Sequence, residues 1–278
     1  MVVSALAAHT SWKAHTAQRS YCSTATRAAA AITGKPGAVF ADADIMVYQY
    51  KICPFCNKLK AVMDFLGIPY KVTEVNPLTK KEIKFSKDYQ KVPIVRLDEQ
   101  YLHDSPAIIQ ALLDGLKARG AVSKDQLDAF ASPDAMNWAE WADKQLAVLL
   151  FPNITRSFGE SYQAFSYVQG VSTFSALDKA ANQALGSFAM WMAQGKIKKK
   201  YNIEDEREAL YGALRQWTTE IQGKKFSGGA VPNLGDLCVF GCLRAIEGLD
   251  AHTEAMQEEK ALAEWYARML GVLQYGPI

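Results

Sequence analysis

Two cysteines, Cys53 and Cys56, lie on either side of Pro54-Phe55 in a Cys-x-x-Cys motif. A cysteine reacts as its thiolate, and a free thiol with a pKa near ~8.5 is mostly protonated at neutral pH. If a helix begins at Cys53, the unpaired backbone N–H groups of the first turn and the positive end of the helix dipole stabilise the thiolate. Cys53 is then the nucleophile, and Cys56, one turn further along, can resolve a mixed disulfide formed at Cys53.

The segments on either side of the motif predict the helix start that this chemistry needs. The β-rich run 45–50 precedes the cysteines, and apolar residues recur at helical spacing after them. Pro54 suits the first helical position because the N–H that it lacks would be unpaired there. Lys51 and Lys58 add positive potential nearby. A strand-to-helix junction of this kind favours a redox-type reactive thiol.

A zinc site is the alternative role for such a cysteine pair, and a structural zinc ion needs four ligands. The histidines show no paired spacing with one another or with a second Cys-x-x-Cys, so no metal site is predicted. They are His9, His15, His103 and His252. Cys238 and Cys242 lie four residues apart in a predicted helix, where they are interpreted as two small apolar residues on a buried face.

Two aromatic residues flank the nucleophile. Tyr50, three residues before Cys53, lies at the predicted strand end, where its phenol can donate a hydrogen bond to the thiolate. A packed strand tyrosine is the alternative interpretation. Phe55 either lines a hydrophobic wall for a substrate or covers the helix terminus.

Two dipeptides further along the chain are candidate binding residues. Val92-Pro93 precedes a predicted strand, as the cis-proline step does in thioredoxin folds, where the backbone of the preceding residue pairs with an extended peptide. Asp104 and Ser105 begin a predicted helix, and either side chain can cap it. Because a helix N-terminus also favours anions, the same pair can hold the γ-glutamyl end of glutathione.

The order of the predicted elements over residues 42–117 is that of a thioredoxin-like, glutaredoxin-type α/β domain. A strand, the cysteine helix and a second strand form a βαβ unit with parallel pairing. A short charged helix is predicted after Asn76-Pro77. Segments 92–97 and 101–102 predict two further strands joined by a hairpin turn, and a last helix closes the domain.

The remainder of the chain predicts an all-helical domain over residues 134–278, joined to the first by a linker at 118–133. Helical periodicity with almost no strand signal runs through this part. The periodic stretches are 136–151, 174–192, 203–221, 233–249 and 260–273. Asn233 and Asp236 form a capping arrangement at the start of one of these helices.

Charge and hydropathy exclude several classes of function. Lys plus Arg total 31 against 29 for Asp plus Glu, so no global field favours nucleic acid or an anionic membrane surface. No apolar stretch approaches the roughly 20 residues of a transmembrane helix. We therefore expect a small-molecule substrate, with no nucleic-acid partner and no transmembrane segment.

The first 41 residues form a compositionally separate segment. They include four basic residues and no acidic residue, amid many Ala, Ser and Thr, which is typical of a targeting segment. The step Arg19-Ser20-Tyr21 resembles a mitochondrial processing site. We expect an organellar location, the mitochondrion rather than the plastid; a disordered tail on a cytosolic protein is the alternative.

Seven segments of the chain together resemble the membrane-associated prostaglandin E synthase type 2 family. They include the cysteine motif, both binding dipeptides and two stretches of the helical part, and they spread over most of residues 45–270. In chain order they read YQYKICPFC, EVNP, KEIKFS, KVPI, DS, NLGDL and RAIEGLD.

The resemblance implies a glutaredoxin-like domain followed by a glutathione-transferase-like helical domain, usually assembled as a homodimer. It implies isomerisation of prostaglandin H2 to prostaglandin E2, in which the Cys53 thiolate, assisted by Tyr50, attacks the endoperoxide. Glutathione would lie on Val92, Asp104 and Ser105. Family members also bind haem together with glutathione, so haem is a candidate second ligand.

Two other functions remain open for the same site. One is a glutaredoxin-like thiol–disulfide oxidoreductase or a glutathione transferase, in which Cys53 forms a mixed disulfide with glutathione. The other is a non-enzymatic protein that binds glutathione with haem or an iron–sulfur cluster. The stretch between Leu116 and Met136 is shorter than the insertion of the family, and residues 1–41 lack its apolar anchor, so membrane association is not expected.

Overall fold

The computed structural model describes residues 31–275, and its first half contains a four-stranded sheet. The strand order is β2-β1-β3-β4. The strands are β1 (Ile45–Gln49), β2 (Lys71–Glu74), β3 (Ile94–Leu97) and β4 (Gln100–His103). β1 pairs with β2 in parallel and with β3 antiparallel, and β3 pairs with β4 antiparallel. This is the thioredoxin-like sheet that the element order predicts.

Two helices pack on this sheet, α1 (Pro54–Leu66) and α2 (Ser105–Ala118). A short 3-10 helix, Lys81–Ile83, takes the place of the charged helix predicted after Asn76-Pro77. α1 ends at Gly67, whose φ of 71° is the left-handed conformation that glycine favours. The fully buried side chains of α1 include the apolar residues at helical spacing: Leu59, Val62, Met63 and Leu66.

The second half is all helical, as predicted. Its helices are α3 (Lys124–Phe130), α4 (Pro133–Trp141), α5 (Ala147–Ile154), α6 (Phe158–Phe165), α7 (Ala176–Ala181), α8 (Ser187–Tyr201), α9 (Glu206–Glu220), α10 (Leu234–Arg244), α11 (Asp250–Glu258) and α12 (Lys260–Leu273). The π turns Ala142–Leu146 and Asn182–Gly186 join α4 to α5 and α7 to α8. None of the helices in residues 31–275 has the length and apolar character needed to cross a membrane.

The segment 118–133, which the sequence predicts to be a linker, contains α3. Ser123 and Gln126 form a reciprocal capping box at its start. Phe130 at its end is 4% exposed and stacks on Phe65 of α1, with ring centroids 5.8 Å apart. A cap and one buried aromatic residue are thus enough to fix a two-turn helix of this linker against the first domain.

The last part of the predicted targeting segment 1–41 belongs to the folded domain. Pro36–Phe40 forms a 3-10 helix, and Phe40 is buried with the Arg119 guanidinium 4.3 Å from its ring centroid. Ile32 is buried as well. Residues 1–30, on which the mitochondrial prediction depends, lie outside the described residues.

The two domains meet where α10 crosses α1. Gly241 makes this close approach possible, because a Cβ atom at that position would lie 2.4 Å from the Cα of Lys58. The predicted capping box of α10 is confirmed: Asp236 N donates to Asn233 Oδ1 at 3.0 Å, and Asn233 N donates back to Asp236 Oδ2 at 3.1 Å. The crossing places the cysteine helix α1 directly against the second domain.

Candidate active site

The cysteine turn has the geometry that the sequence predicts. α1 begins at Pro54, and Cys53 is its N-cap residue in extended conformation, with φ of −84° and ψ of 121°. Cys53 is half-buried, whereas Cys56 is fully buried. The thiol that a reagent or substrate can reach is therefore Cys53.

The two thiols have opposite pKa shifts. A hydrogen bond from the Cys56 thiol lowers the pKa of Cys53, and the backbone N–H groups of Cys56 and Phe55 add to this effect against the opposing effect of burial. Burial, followed by the hydrogen bond to Cys53 and the charge of Cys53, raises the pKa of Cys56 well above its ordinary value. The pair is therefore asymmetric, with the negative charge on Cys53 and the proton on Cys56.

The lysine that supports the Cys53 thiolate is Lys60, and the expectation for Lys58 is wrong. Lys58 is 1% exposed, and its Nζ lies 2.5 and 2.7 Å from the two carboxylate oxygens of Asp143. Its charge is thus compensated within the domain contact. Lys60 shares one helix face with the cysteines through i+3 and i+4 spacing, and its charge lowers the pKa of Cys53.

Two side chains that the motif does not predict hold the turn. Asn57 Nδ2 donates to the carbonyl oxygens of Lys51 at 2.7 Å and Cys53 at 2.9 Å. The carboxylate of Glu74, at the end of β2, accepts the Lys51 N–H at 2.6 Å and Gln49 Nε2 at 3.0 Å. These bonds tie the loop before Cys53 to both the helix and the sheet, which fixes the position of the sulfur.

Tyr50 lies beside the reactive sulfur without bonding to it. Tyr50, Tyr89 and Cys53 pack on the same small apolar cluster, which includes Cys56 and Val92. No hydrogen bond joins the Tyr50 hydroxyl to Cys53 in the part of the chain that the structure describes. Burial, followed by the charge of Cys53, raises the pKa of Tyr50 to about 12. The phenol therefore stays protonated at neutral pH and is available as a donor.

The predicted binding dipeptides reach the same end of the sheet. The Val92-Pro93 peptide bond is cis, and both residues are buried. Ile94, the next residue, pairs with Tyr48 of β1 and with His103 of β4, which brings Val92 and Asp104 to the edge where Cys53 lies. Burial raises the pKa of the Tyr89 phenol, and the backbone N–H of Asp104 opposes this rise.

Asp104 differs from the helix cap that was predicted. It precedes α2 with φ of 68° and ψ of 121°, and its side chain makes no capping bond. A non-glycine residue at positive φ is strained, and such residues concentrate at ligand-binding sites. Within residues 31–275 neither the Asp104 carboxylate nor the buried Ser105 hydroxyl has a side-chain hydrogen bond, so both can bind a ligand.

Phe55 is half-buried and turns towards the domain contact, where its ring centroid lies 6.0 Å from Lys58 Nζ. It packs against the main core. This position agrees with the predicted role of covering the start of α1 better than with that of lining a substrate wall.

A cavity of about 290 Å³ opens next to the cysteine turn. One wall comes from the first domain and the other from the segment after α6. The lining consists of Lys51, Val72, Glu74, Tyr167, Gly170, Val171, Ser172 and Thr173. Tyr167 lies in the 3-10 helix Ser166–Gly170, in a stretch without helical periodicity, so no sequence signal placed it at the site. Lys60, by contrast, could have been predicted from the sequence, because it follows Cys56 by four residues and therefore shares its face of α1.

Comparison with known proteins agrees with this geometry. Residues 47–117 match the family model of the glutathione S-transferase N-terminal domain. Prostaglandin E synthase 2 of Mus musculus is 34% identical over an alignment of 275 positions, and the match covers 84% of this chain and 71% of the mouse protein. The chain belongs to the prostaglandin E synthase 2 family. The Danio rerio protein of the same name is 33% identical over 84% of this chain and 72% of its own length.

Solved structures show which fold this chain shares. Glutathione S-transferase-I bound with lactoylglutathione superposes with a TM-score of 0.54 at 14% identity, over 83% of this chain and 97% of that one. At this identity the likeness concerns the fold. The two-domain glutathione S-transferase fold predicted from the sequence is confirmed, and the family supports an enzyme of this general type.

The Cys53 thiolate is the axial ligand that the cysteine turn offers to haem, the second ligand that the family resemblance implies. Haem iron takes His, Cys, Met or Tyr as axial ligands. The cavity beside the turn has no His, Cys or Met in its lining, and burial keeps its one tyrosine protonated. Nearby His103 is bonded to Ser86 at 3.3 Å and lies against Tyr89. Within residues 31–275 no group of His, Cys, Asp or Glu is placed to hold a metal ion.

Proposed function

We propose that this chain is a glutathione-dependent thiol isomerase that converts prostaglandin H2 to prostaglandin E2 through Cys53. The observation that carries the proposal is the asymmetric pair at the start of α1, where the Cys56 thiol and two backbone N–H groups lower the pKa of Cys53. A thiolate held at a helix N-terminus is a nucleophile at neutral pH. The names of the mouse and zebrafish relatives support the choice of substrate.

The proposed reaction is an internal redox change that consumes no oxidant. The Cys53 thiolate attacks one endoperoxide oxygen, an S–O bond forms, and the O–O electron pair goes to the second oxygen as an alkoxide. That alkoxide takes a proton and becomes the hydroxyl group of the product. The ring carbon next to the sulfur-bound oxygen loses a proton, its C–H pair forms the ketone, and the S–O pair returns to Cys53 as thiolate.

The neighbouring residues bind and orient the reactants. Glutathione lies along the Val92 backbone, with its γ-glutamyl end on Asp104 and Ser105. The free side chains of this pair and the strained backbone of Asp104 support that placement. Tyr50 remains protonated and donates a hydrogen bond to the sulfur or to an oxygen bound to it.

Product analysis with prostaglandin H2, with and without glutathione, tests the proposal. Wild-type protein should yield prostaglandin E2 above the spontaneous rate, and Cys53→Ser should lower kcat/KM by about 10³-fold or more because the nucleophile is lost. Cys238→Ser, which alters a buried thiol in α10, serves as the control and should keep the rate. Turnover that survives in Cys53→Ser would contradict the mechanism.

A glutaredoxin-like thiol transferase or glutathione transferase is the second candidate. The position of Cys56, one turn behind Cys53 and hydrogen-bonded to it, favours this function because it lets Cys56 resolve a mixed disulfide. Deglutathionylation of a glutathionylated peptide measures it. Activity that requires both cysteines, without isomerase turnover, would favour the transferase.

We also propose that the chain assembles as a homodimer and is imported into mitochondria. The segment from α6 to α8 carries an exposed apolar face that a second copy can cover. Its members are Phe158, Tyr162, Leu177, Leu185, Phe188 and Met192. A monomeric mass in solution would contradict the dimer.

The import into mitochondria has a separate test. Cytosolic fluorescence of the full chain fused to a fluorescent protein would contradict it.

A further inference from the structure

The hydroxyl of Tyr167 is a buried polar group without a hydrogen-bond partner. It is one of few such atoms among the described residues. The Tyr167 ring packs against Phe165, with centroids 6.4 Å apart, so its orientation is set within the segment from α6 to α8. Leaving a buried hydroxyl unpaired costs about 1–3 kcal/mol of stability. We therefore expect a bound molecule to form a hydrogen bond with this group.

The position of Tyr167 indicates what that partner is. Tyr167 is the one residue with such an unpaired polar atom, within residues 31–275, that also lines the cavity beside the cysteine turn. It is close enough to Glu74 and Cys53 for their negative charges to act on its phenol. Lys51, two residues before Cys53, lines the same cavity, so a molecule that extends from the cavity towards Cys53 has Tyr167 in its wall.

The cavity has the character of a site for an apolar molecule with oxygen substituents. Val72 and Val171 provide apolar surface, and Ser172 and Thr173 provide hydroxyl groups at the opening. Lys51, exposed at its rim, can pair with a carboxylate. Burial, followed by the negative charge of Glu74, raises the pKa of Tyr167, so the phenol acts as a donor and not as a base.

We propose that Tyr167 is a catalytic residue contributed by the second domain, whose hydroxyl donates a hydrogen bond to the substrate oxygen that becomes negatively charged. In the reaction proposed above, on which this inference depends, that atom is the endoperoxide oxygen released as an alkoxide when Cys53 bonds to the other. Tyr167 stabilises the alkoxide until it takes up its proton. The proton lost later from the ring carbon keeps the reaction balanced.

Tyr167→Phe, which removes only the oxygen atom, tests the assignment, with Tyr162→Phe as the matched control. Tyr162 belongs to the same segment but is 44% exposed and does not line the cavity. Tyr167→Phe should lower kcat for prostaglandin H2 by about 10²-fold, as expected for the loss of one donor to a developing oxyanion. The alkylation rate of Cys53 and the KM for glutathione should not change, whereas a merely structural defect would alter both.

Binding separates this proposal from the proposed function. A stable substrate analogue, in which an ether bridge keeps the oxygen that Tyr167 contacts, is titrated into wild-type and Tyr167→Phe protein. Binding to Tyr167→Phe that is weaker by about tenfold supports the contact, whether or not the wild type forms prostaglandin E2. If the wild type binds the analogue but forms no prostaglandin E2, only the isomerase function is contradicted. Equal affinity and equal turnover would overturn the role of Tyr167 alone. A wild type that neither binds the analogue nor turns over the substrate would overturn both.

Discussion

Two cysteine pairs lie on helices that pack against each other, and Cys53 is the one of these four thiols whose pKa is lowered. Cys53 has a lowered pKa, whereas burial raises the pKa of Cys238 to about 12 and that of Cys242 well above its ordinary value. The Cys242 thiol lies 3.8 Å from the Ala142 carbonyl oxygen, to which it donates a weak hydrogen bond. A thiol that serves as a donor is held in its protonated form.

The difference shows that neither spacing nor a nearby lysine makes a cysteine reactive. Each pair has a lysine beside it, Lys60 near Cys53 and Lys58 near Cys238. Cys53, however, lies at a helix start, where unpaired N–H groups face the sulfur, whereas Cys238 and Cys242 lie within α10, where the backbone N–H groups are bonded. The helix position accounts for the contrast.

Removing the partner of Lys58 is the strongest test of this contrast. Asp143→Asn leaves a buried ammonium group without its carboxylate and should lower the free energy of unfolding by about 3–5 kcal/mol, measured by urea denaturation. Asp128→Asn breaks the exposed Lys124–Asp128 pair and should cost under about 1 kcal/mol. Cys238 should remain unreactive in the folded variant. Fast alkylation of Cys238 there would mean that charge, and not helix position, controls the thiols.

Replacing Cys56 sharpens the contrast within the reactive pair. Cys56→Ala removes the hydrogen bond that contributes most to the lowered pKa of Cys53, so the alkylation rate of Cys53 at pH 7 should fall, by roughly three- to tenfold. Cys56→Ser keeps a donor at the same position and should lose less. Equal rates in the alanine and serine variants would contradict a role for the donor.

Counting thiols is the mildest test. In a Cys22→Ser background, which removes the cysteine outside the described residues, the folded protein should have one fast-reacting thiol, and three more should react only in denaturant. Cys242→Ala should leave that count of one fast thiol unchanged and cost about 1–2 kcal/mol of stability through the lost packing of the sulfur. More than one fast thiol in the folded state would contradict the assignment of Cys53 as the reactive cysteine.

Local signals predicted most of the fold and half of the site. The strands, the start of α1 at Pro54, the cis bond before Pro93 and the capping box at Asn233 each depend on a few adjacent residues. The role of Lys58 was predicted wrongly because the crossing of α10 at Gly241, a tertiary contact, buries that lysine against Asp143. Nearness along the chain therefore did not decide which lysine faces the thiol.

Other parts of the site left no sequence signal. Asp104 reads as a helix cap, yet its backbone has positive φ and its side chain is free. Tyr167 comes from a segment more than a hundred residues away, which only the folded second domain brings to the cysteine turn. The positions of such residues depend on packing between the domains, which cannot be predicted from the pattern of a single sequence.

The pH dependence of Cys53 alkylation, measured in a Cys22→Ser background, tests the central claim most directly. Because the structure lowers the pKa of Cys53, the thiolate forms as pH rises through that lowered value, and the alkylation rate should reach half its maximum clearly below the ~8.5 of a free cysteine. A midpoint at or above ~8.5 would contradict the account, since the start of α1 would then not stabilise the thiolate.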